Sequence, residues 1–329
     1  MTEHGHEVLV VASKKDVTEY LLNHYGINHK IIGSYGGSLL NKILMIPVLD
    51  IRMLKVAKEF KPDLIIGSVR ATHASKFLGV RVIDFVDDDY SFRFTYPLLD
   101  SLVGFSGLEK NAERVIKINS YKELAYLHPK YFKPNKKNVE LAGIRHDEPY
   151  SLLRFVNLNA YHDIGKKGFD NHTQIKLIER LEKFGKVYIS YEGRLPENLR
   201  RYQLPVTPDK IHDLLFYANL FVSDSQTMTT EAAVLGTPAI RCNSFVGDND
   251  MRNFIELEEK YQLIYNFSDP EGAIEKATEL MATDGLRELW QEKRKRLLAD
   301  KLDVTEFMVC FVENYPESFH TLKREIDCR

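Results

Sequence analysis

The sequence predicts an α/β protein built from two successive domains with doubly wound parallel sheets. Three observations predict it. Short β-branched runs alternate with longer helical stretches through the first half, which is the pattern of parallel βαβ units. The alternation breaks near residue 128 and restarts after residue 150. The 329 residues suffice for two domains of roughly 150 residues each.

In chain order, Glu7–Ala12 reads as a buried strand, Val17–Tyr25 as a helix ended by Gly26, and His29–Ile32 as a second strand. Leu39–Phe60 is helical in pattern and interrupted by Pro47. Pro62–Gly67 and Val80–Val86 read as strands flanking a short helix, Arg70–Leu78, and the runs Ser101–Phe105 and Val115–Ile118 extend the sheet. From His128 to Tyr150 the texture turns to proline and lysine, and this stretch marks the connection between a domain 1–145 and a domain 146–329. The second domain then reads as Leu153–Leu158 (strand), Thr173–Phe184 (helix), Lys186–Tyr191 (strand), a helix near Asp209–Ala218, and the strand Leu220–Val222. A helix, the strand Pro238–Arg241 and a helical region from Pro270 complete it. Only a few polar residues precede Glu7, and Glu3–Val8 reads as the end of one helix running into a strand, so the first domain is expected to lack its opening strand.

Composition narrows the function classes. Lys and Arg total 45 against 47 Asp and Glu, a formal charge of -2, so no overall basic field calls for nucleic acid as partner. The three cysteines, Cys242, Cys310 and Cys328, are widely spread without a Cys-x-x-Cys, which argues against a disulfide framework or a structural zinc site. The N-terminus lacks a signal-peptide pattern, and no apolar run reaches the ~18 residues that span a bilayer. A cytoplasmic protein is expected, with contact to a membrane surface left open and its oligomeric state unassigned.

The richest segment is Val222–Pro238. A strand ends at Val222, a polar turn follows, and a helix starts near Ser225–Thr227 and closes at Gly236. A helix N-terminus at the carboxyl edge of a parallel sheet can hold a diphosphate through backbone N–H groups and hydroxyls. Glu231 lies about two turns in; the residue three before it is Met228, so a capping box does not explain it. A carboxylate there can accept both hydrogen bonds of a ribose diol. The same residues also fit a polar helix start with a surface glutamate.

Ser225, followed six residues later by Glu231 and then by Ala232-Ala233-Val234-Leu235-Gly236-Thr237-Pro238, resembles the nucleotide-sugar motif of GT-B enzymes. That motif occurs in non-hydrolysing UDP-N-acetylglucosamine 2-epimerases and in the glycosyltransferase of peptidoglycan lipid II synthesis. The resemblance implies a GT-B-like fold, two Rossmann-type domains facing a cleft. It also implies that Ser225 with its neighbours Thr227 and Met228 holds the diphosphate of a nucleotide sugar and that Glu231 holds the ribose. Gln226 and Thr227 stand where the epimerase pattern has glycines; the hydroxyls of Thr227 and Thr229 can substitute. Four segments, Tyr121–Pro129, Leu153–Val156 with Ala160–Asp163, Ile211–Leu215 and Thr227–Arg241, resemble a closer family, the largely archaeal, GT-B-like domain of unknown function 354. Its members begin with a strand and a His-bearing loop ahead of the segment matching Gly5-His6-Glu7.

Two further constellations carry chemistry. Ala160–Gly168 follows the first strand of the second domain and resembles in position the His loop that touches the diphosphate in the epimerases. His162 is placed there as a catalytic group, and Lys166 and Lys167 suit anion neutralisation. A solvated basic turn is the alternative. Asp87-Asp88-Asp89 follows the strand ending at Val86 and has the spacing of a divalent-metal motif. GT-B enzymes generally position the sugar nucleotide without a metal, so Asp87 is read as a base for the acceptor and no metal or separate cofactor is expected; a solvated charge cluster is the other reading. The epimerases place a catalytic aspartate where this chain has Ser68, which counts against epimerisation. His73, His172 and His212 lack metal-site spacing and read as structural, with Asp213 favouring a helix start.

The function expected is therefore a glycosyltransferase-like enzyme using a nucleoside-diphosphate sugar and an unidentified acceptor, in cell-surface polysaccharide or glycan synthesis. Lys166 or Arg241 would offset leaving-group charge. The alternatives are a non-hydrolysing sugar-nucleotide epimerase and a nucleotide-sugar-binding protein without turnover.

Overall fold

A computed structural model describes residues 1–36, 39–67, 69–145, 148–155, 168–191, 195–247 and 250–327. The chain forms two compact units, one of Met1–Lys122 with Asp303–Arg329 and the other of Glu123–Leu302.

The first unit runs β1 (Val10–Ala12), α1 (Asp16–His24), β2 (His29–Ile31), α2 (Leu39–Phe60), β3 (Leu64–Ile66), α3 (Val69–Leu78), β4 (Arg81–Val86), α4 (Asp89–Thr95), β5 (Ser101–Gly104) and β6 (Val115–Lys117). Every strand pairing is parallel, as the alternation predicts. The strands form two sheets, β1-β2 and β3-β4-β5-β6. Ile65, Val82, Val86, Leu99, Leu102, Leu108 and Val115 make the core against α3, with Met53 of α2 packed on it. Pro47 does not interrupt α2: it sits on the exposed side of a continuous helix, where its missing N–H leaves no buried acceptor unmet.

The second unit continues with α5 (Leu124–Leu127), α6 (Lys136–Leu141), β7 (Tyr150–Phe155), α7 (Asn171–Leu181), β8 (Lys186–Tyr191), α8 (Ile211–Tyr217), β9 (Leu220–Ser223), α9 (Gln226–Leu235), β10 (Ala239–Cys242), α10 (Arg252–Ile255), β11 (Ile264–Phe267), α11 (Pro270–Met281) and α12 (Leu286–Asp300). Its parallel sheet has the order β11-β10-β9-β7-β8. Asp170 and Asp269 cap α7 and α11, accepting from the amides of Thr173 and Gly272, and Pro270 occupies the first turn of α11.

The division differs from the expected boundary at 145/146. Residues 123–145 pack on the second unit because Asp213 of α8 accepts from the Asn135 amide at 2.8 Å and from Asn138 Nδ2 at 2.6 Å. Asp213→Ala leaves both donors unmatched and is expected to lower stability by about 1–3 kcal/mol, measured by urea unfolding followed through Trp290, the single tryptophan of the chain. The last two helices, α13 (Val304–Glu313) and α14 (Glu317–Asp327), return to the first unit. There Tyr315 Oη pairs with Ser101 Oγ at 2.9 Å, Phe311 meets Phe85 edge-on, and Lys323 donates to the Val115 carbonyl. β11 is missing from the sequence reading because it is an edge strand whose Tyr265-Asn266 interior breaks the apolar run.

Candidate functional site

In the second unit the strand order reverses between β7 and β9, the place where doubly wound sheets open a ligand crevice at their carboxyl edge. Two connections leave that edge. The one after β7, residues 156–167 with His162, Lys166 and Lys167, lies outside the described residues. Gly168, where description resumes, abuts the turn after β9: a Cβ on it would stand 2.6 Å from the Asp224 side chain. Only glycine lets the two connections approach so closely.

The turn from β9 into α9 is tied at both ends. Ser223 Oγ donates to the Arg154 carbonyl at 2.8 Å, bridging β9 to β7, and accepts from the Ser225 amide at 2.8 Å. Asn243 Nδ2, beyond β10, donates to the Asp224 carbonyl at 3.0 Å. Ser225 is the N-cap of α9: its Oγ faces the Met228 amide at 3.5 Å, and its carbonyl accepts from Thr229 Oγ1 at 2.6 Å. Gly236 closes the helix in the left-handed region, φ 73°, as the sequence reading expects. Ser225 and Met228 are buried and Thr227 is exposed, so Thr227 presents the free hydroxyl of this helix start. The amides of Gln226 and Thr227 belong to the first turn, where no helical acceptor exists.

Glu231 is 7% exposed and its carboxylate is already held. Oε1 accepts from Tyr126 Oη at 2.8 Å and from His212 Nε2 at 3.1 Å, which requires the His212 tautomer with a proton on Nε2. The rings of Tyr126 and Phe132 flank His212 with centroids 5.5 and 6.2 Å away. Among the described residues no protein donor reaches Oε2. The arrangement leaves the second carboxylate oxygen of a fixed side chain for a further donor, about two helical turns from a helix N-terminus. Tyr126 and His212 are the partners that motif reading misses. Both stand inside segments that carry the family resemblance, and that is the signal that could have found them.

Arg241 is elsewhere. Expected to offset leaving-group charge, it is instead fully buried: Nη2 pairs with Asp250, Nε donates to Asn266 Oδ1 at 2.9 Å, and the guanidinium lies 3.6 Å from the Phe254 ring centroid. Burial pulls its pKa below the usual arginine value, and the Asp250 charge opposes that pull. Nε and Nη2 are held by internal partners, and Nη1 is buried with no hydrogen-bond partner among the described residues.

In the first unit Asp87 directly follows β4 and pairs with Lys122 Nζ at 2.5 Å. Its neighbour Asp89 has a different task, accepting from the Glu109 and Lys110 amides at 3.0 Å each and so fixing the connection after β5. Ser68 lies outside the described residues. Among the described residues no group of three or more His, Cys, Asp or Glu converges as a metal site.

The sequence matches the family described as protein of unknown function (DUF354) over residues 1–316. The chain belongs to this family. Uncharacterized protein MJ0665 of Methanocaldococcus jannaschii is 22% identical to this DUF354 member over 267 residues, covering 71% of this chain and 76% of its own. Among solved structures, a protein described as a candidate UDP-N-acetylglucosamine 2-epimerase from Listeria monocytogenes aligns at a TM-score of 0.58 and 13% identity, covering 94% of this chain and 88% of that one. The Streptomyces sp. SF2575 glycosyltransferase SsfS6, complexed with thymidine diphosphate, aligns at 0.57 and 13%, covering 95% and 92%. Anabaena Alr3699/HepE in complex with UDP aligns at 0.55 and 12%, covering 93% and 91%. Identities this low speak for fold alone, and the fold is GT-B-like with two Rossmann-type units. No helix among the described residues is long and apolar enough to cross a membrane.

Proposed function

We propose that this DUF354 protein is a glycosyltransferase-type enzyme that binds a nucleoside-diphosphate sugar on its second unit. The observation that carries the reading is the placement of Glu231. Six residues of α-helix separate it from the Ser225 cap, a rise of about 9 Å, comparable with the reach from a ribose diol to the 5′-diphosphate. The ribose diol pairs with the Glu231 carboxylate, which Tyr126 and His212 hold in place. The diphosphate meets the Gln226 and Thr227 amides and the Thr227 hydroxyl at the positive end of α9. His162 and Lys166, on the connection that ends at Gly168, supply further donors and charge to the departing diphosphate, the main catalytic contribution in such a transfer. Asp87 deprotonates the acceptor hydroxyl, exchanging its Lys122 partner for it. Two known GT-B-like neighbours that hold UDP or thymidine diphosphate support the donor class. The likeness of Ser225–Pro238 to a motif of peptidoglycan lipid II synthesis supports a role in cell-surface polysaccharide or glycan synthesis. The few, widely spread cysteines support a cytoplasmic setting.

The test is a thermal-shift panel of UDP, GDP, CDP and their sugars on three proteins: wild type, Glu231→Ala, and Thr227→Val, whose exposed side chain can be changed without disturbing the core. A ligand at about 100 times its Kd stabilises the wild type by roughly 2.7 kcal/mol. Both variants are expected to lose most of that ligand-induced gain. If Glu231→Ala kept the wild-type affinity for the best ligand, the ribose assignment would be wrong.

A further inference from the structure

Helix α2 outruns the strands it covers. Arg52 Nη1 donates to the Ile32 carbonyl just past β2 at 2.8 Å, and Leu49 packs at the next residue, Gly33. Asp50 takes His73 Nδ1 at 2.8 Å and stands 3.8 Å from Arg70 Nε, both in the first turns of α3, which follows β3. Residues 49–52 are therefore level with the carboxyl ends of β2 and β3. The helix begins at Leu39, ten residues before Leu49, so about 15 Å of it stands beyond those strand ends.

Exposure agrees. Ile46, Leu49, Met53 and Ala57 share one helix face by their spacing. Leu49 and Ala57 are buried and Met53 packs on the Ile65–Val82–Val86 core, whereas Ile46 is 43% exposed because the strands end below it. On the outer face Leu44, Pro47, Val48 and Ile51 follow one another at helical spacing and all are exposed, Leu44 by 62% and Ile51 by 68%. A helix that is apolar on both sides is stable when something apolar covers it.

Charge selects the cover. Lys55 and Lys58 continue the outer stripe one and two turns on from Ile51, and both are exposed. Lys14 and Lys15, also exposed, follow β1 at the same edge, where the Lys14 amide donates to the Gly33 carbonyl at 2.7 Å. None of the four is paired with a carboxylate among the described residues. The acids of α2 and of the β4 edge are engaged: Glu59 by Lys30 Nζ at 3.1 Å, Asp50 by His73, Asp87 by Lys122, and Asp89 by two backbone amides. A second copy of this face would set the lysines against their own images, and like charges repel. An anionic bilayer fits instead. Its acyl boundary takes the apolar projection and its phosphates take the lysines, whose alkyl stems lie along the boundary. Tyr35, exposed at the same edge with its ring 4.3 Å from the Arg70 guanidinium, is the amphipathic ring that such an interface favours.

We propose that the first unit docks on anionic membrane surfaces through the overhanging N-terminal turns of α2. Leu44, Ile46, Val48 and Ile51 enter the boundary between headgroups and acyl chains, and Lys14, Lys15, Lys55 and Lys58 meet lipid phosphates. The contact is reversible and stays within one leaflet. It turns the carboxyl edge that also carries Asp87 toward the lipid surface.

The experiment sediments the 329-residue chain, without nucleotide, with vesicles of phosphatidylcholine alone and of phosphatidylcholine carrying roughly one-third phosphatidylglycerol, at about 0.1 M salt. The chain is expected to bind the anionic vesicles and to bind the neutral ones at least about tenfold more weakly. Lys55→Gln/Lys58→Gln should weaken binding by about fivefold for each lysine. Leu44→Ser/Ile51→Ser should weaken it by about tenfold or more. All four side chains are exposed, so both variants are expected to keep the wild-type thermal midpoint. Failure to bind anionic vesicles overturns the proposal, as does binding that either variant leaves within about twofold of wild type. Sedimentation velocity without lipid reads the competing occupant: a dimer that Leu44→Ser/Ile51→Ser dissolves gives the face to a second copy and overturns the proposal as well. The readout involves neither Glu231 nor a nucleotide, so it is separate from the test of the donor site.

Discussion

Arg241→Met is expected to destabilise the second unit by about 3–5 kcal/mol. The guanidinium and the Asp250 carboxylate are both removed from water, the former completely, and the Nη2 bond joins them. Taking away the cation leaves a desolvated carboxylate without its partner, and Asn266 Oδ1 loses its Nε donor. The Phe254 ring loses a cation stacked on its face, a contact worth more when desolvated. Asp250→Leu should cost a similar amount for the opposite reason. The double variant Arg241→Met/Asp250→Leu should cost clearly less than the two single losses combined, because no buried charge is then left alone. Urea unfolding followed through Trp290 fluorescence measures all three. A single-variant loss below about 1 kcal/mol, or full additivity in the double, would show that the pair does not work as a unit.

Asp84→Asn is expected to stabilise the first unit above pH 6 and to leave it unchanged near pH 4. Asp84 stands in the middle of β4 on the side shared with Val82 and Val86, 6% exposed, with Oδ1 accepting from the Phe85 amide at 2.9 Å. Its Oδ2 is buried without a hydrogen-bond partner among the described residues. Burial pushes its pKa up from 3.8 to about 6; the Phe85 amide opposes the rise and the Asp88 charge adds to it. Between pH 4 and 6 the folded chain keeps a proton that the unfolded chain has released. Stability therefore falls as pH rises through this window and stays at the lower level above it. The displacement corresponds to roughly 3 kcal/mol at neutral pH, of which the amide recovers the electrostatic part while keeping the Oδ1 acceptor. Exchange of the Val103 amide in wild type and variant at pH 4.5 and 7.5, after correction for intrinsic rates, measures the difference. An advantage of equal size at both pH values would remove the buried charge as its cause.

Much of the architecture is legible in the sequence because the signals are local. Strand and helix periods give the parallel α/β class, and Ser225 and Gly236 bracket α9. Where local signals mislead, the physical cause can be named. Pro47 reads as a break, yet on a solvent-facing side it costs α2 one hydrogen bond and no packing. The proline- and lysine-rich stretch after His128 reads as a linker, but Asn135 and Asn138 give it to the second unit through Asp213. Arg241 looks available because it ends a strand at the expected edge; whether its side chain turns to solvent or to the core depends on Asp250, Asn266 and Phe254, which no motif contains.

The sequence by itself determined the class of fold, the family, and the two ends of the helix on which the donor site is proposed, since periodicity, capping residues and motif spacing act within a few residues of chain. Tertiary structure alone decided that Tyr126 and His212, 105 and 19 residues from Glu231, converge on its carboxylate, that Arg241 is sealed in the core, and that the last two helices return to the first unit. Those outcomes depend on which faces meet when distant segments bury their apolar surface and find partners for the polar groups they carry inward, and such pairings leave no periodic trace in the chain.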